Sequence, residues 1–510
     1  MERILLEQAE KLLLSETGKI TDTEEIPLWD AAGRVLSENI SATLDQPPFP
    51  RSPLDGYAVR SGDIAGVSSE NPAFLRVIDE VTAGHWCDKA VTPGTAVRIM
   101  TGAPIPDGAD CVVMQEYTNY GEDVVEIYKP VQAWKNYCFQ GEDYRAGDRI
   151  LAEGTVLGAI ETGILASLGR CSVPVYRIPT VLVITTGDEI VPPGSPLLPG
   201  KIYDSNLYAV VTRLRQWGMK VLFSGAQDDD AEQVAEKIRS MAGQADLIIT
   251  TGGVSVGKKD ILHDVLKILG CKRLFWGVEV KPGMPTIGAL YQDKVMICLS
   301  GNPYGAAVNL ELMTRPVLAK MSGRYDLQIT RLNAVIDHNC FKKCPVVRYV
   351  RAFYRDGHVC AANGSNASGI ISNLSGCNCL IEIPAGTSEV RSWDQVSVVL
   401  FAQCGVGFRL HDINVLYAFA PFLFNGGVKL SGNVHIIVSE NIGNQINIIC
   451  FRIKGGAVAA PQLMRCNLFL RCCHRCIFLH QIFHAAHSQA FLAKRKEKRR
   501  FILCACPCLN

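Results

Sequence analysis

Between residues 180 and 322 the chain switches repeatedly between two kinds of apolar pattern, and that alternation narrows the fold more than any other feature. TVLVITTG (180–187) is a short run of β-branched and apolar residues closed by glycine, which predicts a buried strand. LYAVVTRLRQWG (207–218) has helical spacing and a glycine stop. KVLFSGA (220–226) predicts a second strand, and DAEQVAEKIRSMA (230–242) a second helix with Asp230 as its N-cap. DLIITTGG, ILHDVLKILG, KVMICLSGNP and YGAAVNLELMTRPVLAKMSG continue the series. Strands alternating with helices of this length make βαβ units, so residues 177–325 are expected to form a three-layer α/β domain with a mostly parallel sheet.

The remainder must fold around it, because 510 residues exceed what one core can organise. Ile4, Leu5, Ala9, Leu12 and Leu13 form one helical stripe for packing on the body or on a partner subunit. Residues 45–145 break into short apolar runs separated by Gly, Pro and Asp, which predicts a β-rich subdomain. TVLGAIETGILASLG (155–169) returns to helical spacing. The helical and linker region is therefore assembled from 1–44 and 146–176, and strand-like runs over 326–403 predict a C-terminal β domain. The last segment, 404–510, is different in kind. From residue 405 onward it has 13 Lys and Arg against 3 Asp and Glu, and nine of the chain's 20 cysteines lie at or beyond Cys404. It has no sustained period, and its character is that of sequence not selected for folding, as from a shifted reading frame or read-through. RCCHRC lacks the paired spacing of a zinc site, and KRKEKRR has the character of a solvated basic run, not a nucleic-acid site. The eleven body cysteines form no disulfide framework, which suggests a reducing cytoplasm. No run approaches the ~20 apolar residues of a membrane span.

In open α/β sheets, ligands bind beyond the carboxyl ends of the strands. Four loops are expected on that rim. They are Thr185-Thr186-Gly187-Asp188-Glu189, Asp228-Asp229-Asp230, the stretch TTGGVSVGKKD (250–260), and Ser300-Gly301-Asn302-Pro303. Glycines let backbone N–H groups approach an anion, and helix starts favour one. The Gly-Lys-Ser/Thr close of a Walker loop and the G-x-G-x-x-G fingerprint are both missing, so the anion is held in another way. Carboxylates on the same rim, among them Glu189, Asp229 and Asp260, would repel a phosphate unless a divalent cation such as Mg²⁺ stood between them.

These residues resemble one family. SPLDGYAVR (52–60), IMTGAP (99–104), GEDYRAGD (141–148), TTGDEI (185–190), IYDSN (202–206), TTGGVSVGKKD, VKPGMP (280–285) and SGNP (300–303) occur in the order seen in molybdopterin molybdenumtransferases, the bacterial MoeA proteins and the gephyrin E domain. The resemblance spans roughly residues 1–403. It implies a homodimer with an N-terminal helical region, a β-rich subdomain, a molybdopterin-binding α/β domain and a C-terminal β barrel, with the active site between subunits. It also implies that molybdate is inserted into adenylylated molybdopterin (molybdopterin-AMP), with Mg²⁺ required and AMP released. By motif, Asp55, Thr101, Asp143 and Lys281 match catalytic positions. Thr186, Gly187, Gly252, Gly253, Ser255, Gly257, Ser300, Gly301, Asn302 and Pro303 match the pterin-binding loops, Arg351 and Ser368 the molybdate contacts, and Glu189, Asp229 and Asp260 the metal ligands. Molybdopterin adenylyltransferase and recipient molybdoenzymes are the implied protein partners.

Two other readings share part of this pattern: a molybdopterin adenylyltransferase, which has TTGG-type loops but not the DGYA, MTGAP and GED blocks, and a non-catalytic scaffold. The sequence also departs from the family. Ser300 replaces the proline of PGNP, and Gly277 and Met284 stand where bacterial members carry lysines. Fewer lysines predict weaker oxyanion attraction, with Lys281 retained.

Overall fold

A computed structural model describes residues 3–254, 261–337, 343–364 and 366–401, together with the strands Val434–Ser439 and Ile448–Ile453. The chain divides into a unit of residues 1–411 and a second of residues 412–510. In the second unit the two described strands pair antiparallel, Val434 opposite Ile453. The RCCHRC and KRKEKRR segments lie outside the described residues.

The alternating region forms β1 (Thr180–Thr186), α1 (Ser205–Gln216), β2 (Lys220–Gln227), α2 (Ala231–Ala242), β3 (Leu247–Thr251), α3 (Leu262–Ile268), β4 (Lys272–Trp276), β5 (Ile287–Tyr291), β6 (Lys294–Leu299) and α4 (Pro303–Asn309). A π-helical turn, Leu310–Thr314, carries α4 into α5 (Arg315–Ser322). The sheet order is β2-β1-β3-β6-β5-β4. The first four strands are parallel, and β5 and β4 extend the sheet antiparallel. Side chains alternate faces along each strand. Val181, Val183, Leu247, Ile249, Val295 and Ile297 therefore join one core with α1, α4 and α5. Leu182, Ile184, Ile248, Met296 and Cys298 join the opposite core with α2 and α3. Each fully buried Leu, Ile or Val stabilises this sandwich by about 1.5–3 kcal/mol before entropy is counted.

Strands β4 and β5 were not expected from the sequence. Gly288 breaks the apolar run IGALY, yet it is there because Phe275 of β4 crosses it: a Cβ at Gly288 would sit 2.2 Å from the Phe275 ring. A glycine that weakens the strand pattern is thus required by cross-strand packing. Asp230 caps α2 as expected, accepting from the Gln233 N–H at 3.0 Å.

Two other expectations are corrected. The N-terminal helix, Leu6–Ser15, buries Leu6, Ala9 and Leu13, while Leu5 and Leu12 are 48% and 38% exposed. Its core face is rotated by about one residue from the predicted stripe. The helix expected over 155–169 begins at Ala159 and ends at Ser167. Residues 155–157 instead run extended, with hydrogen bonds from Leu36 to Thr155 and between Leu157 and both Gly33 and Arg34.

The β-rich region is a five-stranded sheet of Cys111–Met114, Gly56–Val59, Thr95–Ile99, Ala73–Val81 and Val124–Ile127, in that order. In the C-terminal region Val347–Arg355, His358–Ala361, Arg331–Ile336, Gln395–Leu400 and Cys379–Ile383 pair in a ring. The first and last strands bond to each other, closing a five-stranded barrel. The short strand Val280–Lys281 adds to its outside, parallel to Val347 and Arg348.

Candidate functional site

Parallel β2, β1, β3 and β6 end on one edge, so their following loops share a rim. Thr185 and Thr186 close β1 and are buried, and Gly187 follows. The Thr185 hydroxyl donates to Asp204 Oδ2 at 2.6 Å, while Asp204 Oδ1 accepts from the Leu207 N–H at 2.9 Å. Asp204 is thus the N-cap of α1 and an anchor for the end of β1. Two residues on, buried Asn206 donates through Nδ2 to Thr251 Oγ1 at 3.0 Å and to the Gly301 carbonyl at 2.9 Å. One amide therefore pins the third loop to the fourth.

Glycine is required where these loops cross. Gly252 has φ +101°, and a Cβ there would lie 2.1 Å from the Thr186 carbonyl oxygen. Gly253 has φ +60°, and its Cβ would meet Leu262 at 2.8 Å. Between them the Thr186 hydroxyl is buried without a hydrogen-bond partner among the described residues. Such an orphan costs about 1–3 kcal/mol, which a bound polar ligand would recover. Ser300 accepts from the Asn302 N–H at 3.2 Å and so shapes the turn into Pro303. Ser255, Gly257 and Asp260 lie outside the described residues.

The acidic side of the rim is mutually braced. The Asp229 N–H donates to Asp188 Oδ1 at 2.9 Å, and the Asp188 N–H reaches Asp229 Oδ2 at 3.4 Å. Glu189 is exposed in the same loop. Among the described residues no group of three His, Cys, Asp or Glu side chains is disposed to hold a metal ion. The described part of the expected ligand set therefore consists of Glu189 and Asp229.

Lys281 is exposed at the end of the short outer strand of the barrel. The loop behind it is fixed from the α/β domain. Buried Asn309, the last residue of α4, donates to the Gly283 carbonyl and to Thr286 Oγ1, both at 2.5 Å. Gly283 has φ +98°, and a Cβ would lie 2.6 Å from that amide. Gly277 has φ +81°, and a Cβ there would lie 3.2 Å from Arg3 Cγ. Met284 is 36% exposed.

A second cluster lies in the β-rich region. Gly56–Val59 and Thr95–Ile99 are antiparallel, so the residue before one meets the residues after the other. The Thr101 N–H and hydroxyl donate to Asp55 Oδ1 at 2.7 and 2.8 Å. Those two bonds hold the Asp55 carboxyl below the usual carboxylate range. Asp143 is exposed on a neighbouring loop, its N–H bonded to the Gln46 carbonyl at 2.9 Å. The structure brings Asp55 and Thr101 into contact and gives no direct bond from either to the α/β rim among the described residues.

Arg351 is matched by motif to a molybdate contact. It is fully buried, with its guanidinium 3.8 Å over the Tyr304 ring centroid. It donates to the carbonyls of Ile370 and Ala367 at 2.5 and 3.1 Å. Ser368 lies in the loop that Arg351 holds, and its carbonyl accepts from the Tyr304 N–H at 3.0 Å. Asp204 and Asn206 lie in the IYDSN block but were given no role from the sequence, and Asn309 was not singled out. For Asp204 the signal was present, an acidic residue just before a helical run.

The fold defines a multidomain α/β protein whose glycine-bearing loops gather at the carboxyl edge of its parallel strands. Three family models match in chain order: the MoeA N-terminal region (domains I and II) at residues 4–169, a probable molybdopterin binding domain at 182–320, and the MoeA C-terminal region (domain IV) at 333–401. A molybdopterin molybdenumtransferase of Staphylococcus epidermidis is 35% identical over 400 residues, covering 78% of this chain and 95% of the relative. One from Staphylococcus aureus is 34% identical over 378 residues, covering 74% and 90%. A crystal structure of a molybdopterin biosynthesis MoeA protein from Pyrococcus horikoshii is 30% identical with a TM-score of 0.68, covering 78% of this chain and all of that one. The chain belongs to the MoeA family of molybdopterin molybdenumtransferases.

Proposed function

We propose that this chain inserts molybdate into adenylylated molybdopterin and releases AMP, completing a step of molybdenum cofactor biosynthesis. The observation that carries the reading is the rim itself, where Asn206 ties the Thr251 and Gly301 loops together beneath glycines that admit no side chain. Thr186, Gly187, Gly252, Gly253, Ser255, Gly257, Ser300, Gly301, Asn302 and Pro303 would take the pterin phosphate, using backbone N–H donors in place of lysines. Lys281 supplies the positive charge for the oxyanion, and Ser368 a neutral contact. Asp55, braced by Thr101, and Asp143 would complete the cleft across a homodimer. Glu189, Asp229 and Asp260 would hold Mg²⁺, whose charge reconciles carboxylates with phosphate. That set consists of oxygen donors only, as Mg²⁺ prefers. Ten of the described cysteines, Cys87 to Cys379, form no disulfide among the described residues. Among the described residues no helix is long and apolar enough to cross a membrane.

Purified chain incubated with adenylylated molybdopterin, Mg²⁺ and molybdate tests the reading. Molybdate-dependent AMP release is expected. ATP consumption with formation of the adenylylated pterin would identify an adenylyltransferase instead, and tight binding without turnover would identify a scaffold.

A further inference from the structure

Arg315 opens α5 and is 1% exposed, yet only part of its guanidinium is engaged. Nη1 donates to Glu311 Oε2 at 2.8 Å and to the Leu400 carbonyl at 2.9 Å. Nε and Nη2, both buried, have no hydrogen-bond partner among the described residues. These two atoms form one edge of the planar fork, and their N–H groups point the same way, as when a guanidinium grips an anion side-on. Buried donors left unmet are costly, and more so on a charged group. The nearby carboxylates are already committed. Glu311 accepts from Arg213 Nε at 2.7 Å through Oε1 and from Arg315 through Oε2. Glu382, on the barrel strand Cys379–Ile383, accepts from the Tyr349 hydroxyl at 2.9 Å and from Arg331 Nε at 3.2 Å. Glu10 of the N-terminal helix faces Arg331. The charges that act most on Arg315 are those of Glu311, Arg213 and Arg331. With Arg331 paired to Glu382, Arg213 and Arg315 share the single carboxylate of Glu311, a surplus of one positive charge. Burial lowers the Arg315 pKa, the mark of a charge short of compensation, but a guanidinium does not shed its proton near neutral pH.

We propose that the Nε–Nη2 edge of Arg315 is a binding site for a small monovalent inorganic anion, chloride or another halide, where α5 meets the end of the barrel strand Gln395–Leu400. The ion accepts both N–H bonds and cancels the surplus charge, which a neutral water molecule does not. Its role is structural: it completes the charge cluster that joins α1, the π-helical turn, α5 and the barrel. The length of α4 and the π-helical turn separates it from the rim loop at Pro303, so the site does not depend on the molybdate-inserting reading.

The full chain is unfolded with urea, which brings no anion of its own, in buffers of equal ionic strength containing chloride, bromide or the bulkier anion gluconate. Stability is expected to rise with chloride or bromide and not with gluconate. The folding equilibrium constant should grow about 100-fold when the halide reaches about 100 times its Kd. Arg315→Met keeps an unbranched side chain and removes the charge, so its stability should be the same in all three buffers. A second measurement needs no variant: anomalous diffraction from wild-type crystals grown in bromide should place a peak against both Nε and Nη2 of Arg315. Equal wild-type stability in chloride and gluconate would overturn the site, because water would then suffice. A bromide peak at Arg315 without a halide-dependent gain in stability would mark an adventitious ion only, and it too would overturn the proposal. So would crystals with no peak there, or a halide dependence that persists in Arg315→Met.

Discussion

At the scale of single residues, the site is defined by positions where only one side chain will do. Gly252 is the clearest. Its φ of +101° and the 2.1 Å approach to the Thr186 carbonyl exclude any Cβ. Gly252→Ala is expected to cost about 1–3 kcal/mol in backbone strain alone. It should also weaken pterin binding by at least about tenfold, since a misplacement of ~1 Å disables preorganised donors. Isothermal titration against molybdopterin, with a melting curve beside it, checks both effects, and wild-type affinity in the variant would remove the third loop from the site. Asp55 offers a test by pH. Thr101 lowers its folded pKa, so the stabilisation from that pair is fully present above the ordinary carboxylate value of ~4. It is lost only as pH falls through the lower folded value. A carbon-detected titration of the Asp55 carboxyl should show its inflection below the ordinary range in wild type and closer to it in Thr101→Val. Equal inflections in the two would mean that Thr101 does not grip Asp55 in solution.

At the scale of elements, the run from α4 through the π-helical turn to α5 organises more of the molecule than its length suggests. Asn302 and Tyr304 serve the rim and the barrel loop, and Asn309 fixes the Lys281 loop. Glu311, in the π turn, accepts from Arg213 Nε of α1 at 2.7 Å and from Arg315 Nη1 at 2.8 Å; Arg315 also reaches the Leu400 carbonyl at the end of a barrel strand. Glu311 and Arg315 are buried. Removing one partner of a buried charge cluster leaves the others uncompensated, so Glu311→Ala should destabilise the 1–411 unit by about 3–5 kcal/mol. Chemical denaturation followed by tryptophan fluorescence reads this, and a loss below about 1 kcal/mol would show the cluster to be energetically idle. Little of it was legible beforehand. The sequence shows period, caps and glycines, so the parallel strands, Asp230 and the rim loops could be read directly. It does not show which helix faces which, so Leu6 could not be told from Leu5 as the inward residue. Nor does it show a residue whose partners are distant in the chain. Asn309 is an ordinary polar residue until folding brings Gly283 to it, and the bonds of Asn206 to Gly301 and of Arg351 to Tyr304 likewise exist only in the fold. Strand β5 was hidden for a related reason, because Gly288 makes sense only once Phe275 lies across it.

At the scale of the whole molecule, the family match ends where the unusual composition begins. The three family regions span residues 4–401, and the relatives are covered almost completely by that stretch. A chain ending at residue 403 is expected to keep its melting temperature within a few degrees and its full molybdate-dependent rate. A large loss of either would show that the basic, cysteine-rich segment contributes to the enzyme. Residues 1–403 are expected to act as a molybdenum-inserting enzyme with its substrate on the α/β rim. The most direct test is the molybdenum-to-pterin ratio on protein re-isolated after one round of reaction, measured by metal analysis in wild type and in Gly252→Ala. Close to one molybdenum per pterin is expected in wild type, appearing together with one AMP, and almost none in the variant. Adenylylated pterin bound by wild type with no molybdenum acquired, under conditions in which a staphylococcal relative acquires it, would contradict the account.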